Sequence, residues 1–213
     1  MSNLSKRAAK YYFLQGIKFI VWVILIQGFL FAEWLVIGGD PGESALEHAT
    51  DMLFSIGGFM TIFLNGMFSL YGPNWYDSMA LSMGARRKDI FWGQIIKQFT
   101  FVIGATLCYV IVALVSGQTS YLLTIVVEGI LAIAAGPIGQ VIGYKIKRFG
   151  KIAVLFMAII GGSFGAAFAL QATGVFVFEY QSISIALIAV VVLVVFALFE
   201  MWVYKLNSKL MVH

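Results

Sequence analysis

The chain has 213 residues, of which 61% are hydrophobic and 11% charged, and its mean hydropathy is +0.94. This composition is too apolar for a soluble globular domain and indicates an integral membrane protein. The formal net charge of +4 requires no nucleic-acid partner, because the basic residues collect in particular connections between apolar runs.

The N-terminal residues 1–17 have the pattern of an interfacial helix, which lies along the membrane surface before the first span. Lys6 and Lys10 are one helical turn apart, and Tyr11 to Leu14 supply an aromatic and apolar side. We therefore predict a short surface helix in this region, followed by a membrane-spanning helix.

Six apolar runs follow, each near the length of about 20 residues that a helix needs to cross a hydrocarbon core. The runs lack the alternation of a membrane barrel, so helices must satisfy the backbone hydrogen bonds in lipid. We predict an all-α membrane protein with one transmembrane domain, residues 1–213, whose six spans lie roughly at 19–38, 52–71, 98–116, 121–143, 152–172 and 183–204.

The basic residues predict the orientation of the chain. All 14 Lys and Arg residues lie before or at the start of span one, between spans two and three, between spans four and five, or after span six. The other connections carry acidic residues or no formal charge. Because Lys and Arg near span ends are retained on the cytoplasmic side, we predict a multi-pass protein of the cell membrane with both termini in the cytoplasm.

The segment 72–97 is the one predicted cytoplasmic connection that is long enough to fold. Pro73 and Asn74 indicate a turn and a helix start, and Gly84 indicates a stop. Met79 and Met83 are spaced by one helical turn and share a face. We predict a short helix along the membrane surface, followed by a second helix that continues into span three.

The end of this segment has a distinct motif within about ten residues, formed by Ser82, Gly84, Arg87, Lys88, Ile90 and Phe91. This motif resembles the coupling element of permeases in the type 2 ABC exporter superfamily, in the bacterial form that uses a separate ATPase. Arg86 stands where the family commonly has Ser or Thr. The resemblance also covers the architecture of most of the chain.

The resemblance implies that the segment docks in a cleft of a cytosolic ATPase and transmits ATP-driven closure to the spans. The implied coupling residues are Met79, Ser82, Gly84, Arg86, Arg87, Lys88, Ile90 and Phe91. The chain has no P-loop motif, so it is predicted to have no catalytic site, and ATP and Mg²⁺ would be bound by the partner. Six spans are few for an alternating-access pathway, so a second copy or a related permease is a further expected partner, together with membrane lipid.

Polar residues within the spans are candidates for the translocation pathway, because a charge at the bilayer centre costs about 2.5–3.5 kcal/mol on insertion scales. The candidates are Gln27, Asn65 and Glu128. Glu128 lies about two turns into span four, and two interpretations stay open for it: a group that lines a cationic pathway, and a protonated packing residue.

Two other functions are compatible with the residues. The chain could be an ion-coupled transporter or a vitamin-binding importer subunit that uses Glu128, neither of which requires a coupling element.

An intramembrane enzyme is disfavoured. Residues Gly161 to Gly165 match the sequence pattern of a nucleophile elbow, but no histidine is near them in the sequence. No metal site is predicted, since the sequence has no Cys/His cluster. For the exporter, the aromatic spans suit amphipathic cargo such as antimicrobial peptides or lipophilic drugs.

Overall fold

Helices form the regular secondary structure of the computed structural model, which describes residues 3–37, 44–150 and 185–209. Five of these helices are long and apolar enough to span a membrane. A π-helical turn at Gly72–Tyr76 precedes α3, and a 3-10 turn at Thr119–Tyr121 precedes α5. The α-helices in chain order are α1 Asn3–Ile37, α2 Ala45–Leu70, α3 Asp77–Ser82, α4 Arg87–Val115, α5 Leu122–Phe149 and α6 Ile185–Lys209.

The described part of the chain confirms the all-α prediction and contains helices at five of the six predicted spans. The predicted fifth span, residues 152–172, lies outside the described residues. α2 begins at Ala45 rather than near residue 52, because the Ser44 side chain caps the helix and accepts a hydrogen bond from the Glu47 backbone N–H at 3.2 Å. The apolar run thus marks only part of the helix.

The N-terminal region differs from the prediction of a separate interfacial helix at residues 1–17. α1 is one continuous helix of 35 residues that includes both this region and the first span. Its first half packs on α4: the Tyr12 ring lies against Gly93, and Gly16 lies against the backbone of Lys97. These glycines allow the two helices to approach closely, and this tertiary packing supports the first half of α1 as part of the same helix.

α2 and α5 approach each other closely at glycines. Gly139 and Gly143 lie one turn apart on α5 and contact the backbone carbonyls of Gly66 and Leu70. The two α5 glycines therefore serve small-residue packing of the helices. Pro137 lies inside α5 without ending it.

An aromatic core fills the space between α1, α2 and α4. The rings of Phe19 and Phe68 stack with centroids 3.9 Å apart, and Phe101 packs edge-on against Phe68 at 5.5 Å. By contrast, many apolar side chains of α1 and α6 are exposed, as expected of helix faces that contact lipid.

The two ends of the bundle differ in charge. We call the end that holds segment 72–97, the start of α1 and the end of α6 the basic end; Arg86 contacts Ser5 there, and Arg87 contacts Ser208. The opposite end, which we call the acidic end, carries Glu33, Glu47 and Asp51, and none of its described residues is Lys or Arg.

Candidate functional site

Segment 72–97 folds at the basic end largely as predicted. The turn predicted at Pro73 is the π-helical turn, α3 follows it, and α4 starts at Arg87. Gly84 has a φ of 83°, in the left-handed region that side chains disfavour. The helix break predicted at this glycine is therefore confirmed, and it separates α3 from α4.

The three consecutive cations of this segment have different surroundings. Arg86 forms an ion pair with Asp89 at 3.0 Å and donates a hydrogen bond to the Ser5 hydroxyl of α1 at 3.2 Å. Arg87 donates to the backbone carbonyl of Ser208 in α6 at 2.8 Å. Lys88 is exposed. Of the three cations, Lys88 is thus the one that is exposed and whose charge the described contacts leave available to a partner protein.

Asp89 joins these contacts into one cap at the start of α4. Its carboxylate accepts hydrogen bonds from the Arg86 backbone N–H at 3.2 Å and from the Ser5 hydroxyl at 2.7 Å. The carboxylate in turn raises the pKa of the Arg86 guanidinium, through a hydrogen bond and through its charge. The start of α4 is consequently held to the start of α1.

The remaining predicted coupling residues divide into exposed and buried groups. Met79 is exposed on α3, and Ser82, also exposed, donates a hydrogen bond from its hydroxyl to the Met79 carbonyl at 2.8 Å. Ile90 is buried against Tyr12 and Ala80. Phe91 is half-buried, and its ring lies 5.3 Å from that of Tyr204 in α6. The last two residues therefore position the segment on the bundle rather than face outward.

A buried carboxylate, which the sequence analysis did not select, connects α3 to three membrane helices. Asp77 Oδ1 accepts hydrogen bonds from the Tyr12 hydroxyl of α1 at 2.8 Å and the Gln94 amide of α4 at 2.6 Å. Its Oδ2 accepts one from the Tyr144 hydroxyl of α5 at 3.3 Å. We call these four residues the Asp77 network. Its only sequence signal is an acidic residue within a connection that is otherwise rich in basic residues.

A buried lysine lies beside this network. Lys97 Nζ donates to the Phe68 carbonyl of α2 at 3.3 Å and lies 5.5 Å from the centre of the Tyr76 ring. The opposite charge of Asp77 attracts it electrostatically. Burial raises the pKa of Tyr76, so its phenol stays protonated beside the cation. The sequence analysis counted Lys97 as an ordinary cytoplasmic cation, whereas the structure buries it.

The predicted pathway residues are all buried but do not share one site. Gln27 of α1 lines a cavity between α1, α2 and α4. Asn65 of α2 donates a hydrogen bond to the Ala132 carbonyl of α5 at 2.8 Å. Glu128 of α5 packs against Gly58 of α2. Asn65 and Glu128 thus lie in the contact between α2 and α5, and only Gln27 faces the cavity.

Comparison of the chain with family models, with curated proteins and with solved structures finds no match. Evidence for a function therefore comes from the geometry of segment 72–97 and of the cavity beside Gln27.

Proposed function

We propose that this chain is the membrane-spanning permease subunit of an ATP-binding cassette exporter. In this proposal it works as a dimer and is driven by a separate cytosolic ATPase that docks on segment 72–97. The observation that carries the proposal is that this segment is attached to every membrane helix that the structure describes. It continues from α2 into α4, the Asp77 network holds it to α1 and α5, and Arg87 binds α6.

The outward side of the segment has the character of a protein-binding surface. Trp75, Met79 and Met83 are spaced by four residues, and their side chains are 71%, 56% and 53% exposed. Lys88 adds an exposed cation. An apolar stripe beside a charge is typical of a docking surface, since large exposed apolar side chains gain free energy when a partner covers them. We call these four residues the docking stripe.

A displacement of the docking stripe would move the spans because its support is rigid. Asp77 is buried and its carboxylate accepts three hydrogen bonds. Breaking a buried hydrogen bond to a charged group costs about 1.5–3 kcal/mol, so α3 is expected to move together with its neighbours. Closure of an ATPase pair would thereby be transmitted to α1, α4 and α5. ATP and Mg²⁺ would be bound by that ATPase, and the amphipathic cargo predicted from the composition stays part of the proposal.

The dimer follows from the same reasoning. An ATPase pair presents two docking clefts, and each permease chain has one segment 72–97. Small residues such as the glycines of α2 can form a contact with a partner helix. Gly57 and Gly58 do not indicate such a contact here, because they pack on Tyr109 and Glu128 within one chain. The mass of the purified complex tests the dimer directly, and a complex with one permease chain that still transports would contradict it.

The docking surface is tested by charge substitutions with a matched control. Met79→Glu and Lys88→Glu, combined, should reduce ATP hydrolysis by a co-reconstituted partner ATPase by about tenfold, which corresponds to about 1.4 kcal/mol. Lys205→Glu is the control, because Lys205 is also exposed at the basic end but lies on α6. Wild-type ATP hydrolysis by the double variant, at normal membrane insertion, would contradict the docking site.

A second candidate function is favoured by buried carboxylates inside the spans. Glu128 and Glu200 are both buried, and buried acids in membrane helices commonly mark ion or proton pathways. An ion-coupled transporter would accumulate cargo under an imposed proton or sodium gradient without ATPase or ATP. Uptake by proteoliposomes that contain this chain alone separates the two functions, since the exporter predicts none.

A further inference from the structure

A cavity of 670 Å³ lies between α1, α2 and α4, towards the acidic end. This volume is within the range of about 300–1,000 Å³ that is usual for small-molecule sites. Most of its wall is apolar and is formed by side chains that include Ile20, Val23, Phe31, Leu53, Ala105 and Val112. The cavity therefore suits a hydrocarbon chain.

Two buried polar groups interrupt this apolar wall. Gln27 is only 5% exposed and Tyr109 only 6%. The amide nitrogen and oxygen of Gln27 and the hydroxyl of Tyr109 form no hydrogen bond of good geometry within the part of the chain that the structure describes, although the Tyr109 hydroxyl lies near Gln27 and Thr61. Because buried polar groups are nearly always hydrogen-bonded, a ligand with a donor and an acceptor at this depth would satisfy them.

The mouth of the cavity is acidic. Glu47 is exposed and lines the cavity. The described residues of the acidic end include further acids, Glu33 and Asp51, and no Lys or Arg. A cationic group at the mouth would be attracted by this field, whereas an anionic group would be repelled.

We propose that this cavity binds a cationic amphiphile whose apolar chain carries an amide group. The cation lies at Glu47, the amide exchanges hydrogen bonds with Gln27 and Tyr109, and the chain fills the apolar wall. That this ligand is the exported cargo rests on the proposed function, but its binding requires neither ATPase nor ATP.

Cys108 makes this site directly measurable. It is the only cysteine of the chain and lines the cavity. A bound ligand should slow its alkylation by N-ethylmaleimide in lipid nanodiscs. Three probes separate the contribution of the amide to binding from that of the cation. Lauramidopropyl-trimethylammonium has both the amide and the cation, hexadecyltrimethylammonium lacks the amide, and lauroyl taurate has the amide with an anionic head.

We expect saturable protection of Cys108 that is strongest with lauramidopropyl-trimethylammonium. Gln27→Leu should weaken this protection by about tenfold, as expected for lost hydrogen bonds in a buried site. Glu47→Gln should weaken it by about threefold, because an exposed charge is screened by solvent. The control is Ile111→Cys in a Cys108→Ala background, since Ile111 is exposed on α4 outside the cavity; its alkylation should not change with any probe.

Equal protection by the three probes in the unaltered chain would overturn the proposal, because it would indicate partition into lipid rather than a built site. Full protection of the Gln27→Leu variant would overturn the role of the amide contact. If no probe protects Cys108 while ATP-driven transport is intact, the proposed ligand site in the cavity is contradicted and the export function is not. If the probes protect Cys108 but no ATP-driven transport is found, the export function is contradicted and the ligand site is not.

Discussion

The contact between α2 and α5 can be tested by a pair of substitutions that differ only in their surroundings. Gly139 of α5 and Gly66 of α2 face each other across this contact. A Cβ atom at residue 139 would overlap the backbone carbonyl oxygen of Gly66, which cannot rotate away. A Cβ atom at residue 66 would lie 3.6 Å from the carbonyl oxygen of Ala135, an ordinary van der Waals distance.

The expected magnitudes follow from these distances. Replacing a helical glycine by alanine raises the free energy of unfolding by about 0.5–1 kcal/mol, because glycine loses more backbone entropy on folding. Nothing opposes this gain in Gly66→Ala. In Gly139→Ala the two helices must separate, and overpacking of this kind costs about 1–3 kcal/mol. We therefore expect Gly66→Ala to be the more stable variant by about 1–3 kcal/mol.

Reversible unfolding by SDS titration in mixed micelles measures this difference. The expected order of stability is Gly66→Ala at or above the wild type, and Gly139→Ala below it. If Gly139→Ala were as stable as Gly66→Ala, α2 and α5 would not be packed backbone to backbone, and the assignment of these glycines to helix packing would fail.

The remaining predictions concern the Asp77 network, the cap of α4 and the orientation of the chain. Asp77→Ala should lower the free energy of unfolding by about 3 kcal/mol in SDS titration, because it leaves buried donors without an acceptor. Asp77→Asn keeps one carbonyl acceptor and should lower this free energy less. Equal losses in the two variants would contradict the Asp77 network. Arg86→Ala should lower the same free energy less than Asp77→Ala does, since its ion pair is exposed on the arginine side. An equal loss would show that the cap is essential to the fold. A cysteine at Ser120, in a Cys108→Ala background, should label from outside intact cells. A cysteine at Lys205 in the same background should label only after permeabilisation. External labelling at residue 205 would contradict the predicted orientation.

The position of the helices is largely a local property, and for this reason it could be predicted. A run of about 20 apolar residues must be helical in lipid whatever packs beside it. The helix break at Gly84 was equally predictable, because a residue without a Cβ atom adopts a positive φ at little cost. The predicted helix ends were less accurate. The apolar run misses the first turns of α2, which are polar and begin at the Ser44 cap.

The contacts that define the candidate sites depend on which helices pack together. The sequence marks Gln27, Asn65 and Glu128 as unusual in a membrane, but only the tertiary structure separates Gln27, in the cavity wall, from the two residues between α2 and α5. The Asp77 network joins positions 65 residues apart in one case and 17 in another. No local pattern encodes such distances.

The apolar runs and the placement of Lys and Arg were enough to predict an all-α membrane protein with its cations collected at particular connections. Hydrophobicity and charge act on each segment separately, through its free energy in lipid and in water, so they are readable in one dimension. The continuity of α1, the joint burial of Asp77 and Lys97 and the cavity beside Gln27 depend instead on how the helices pack. These features arise where side chains from different helices fill or fail to fill a shared space, and packing of that kind exists only once the helices have assembled.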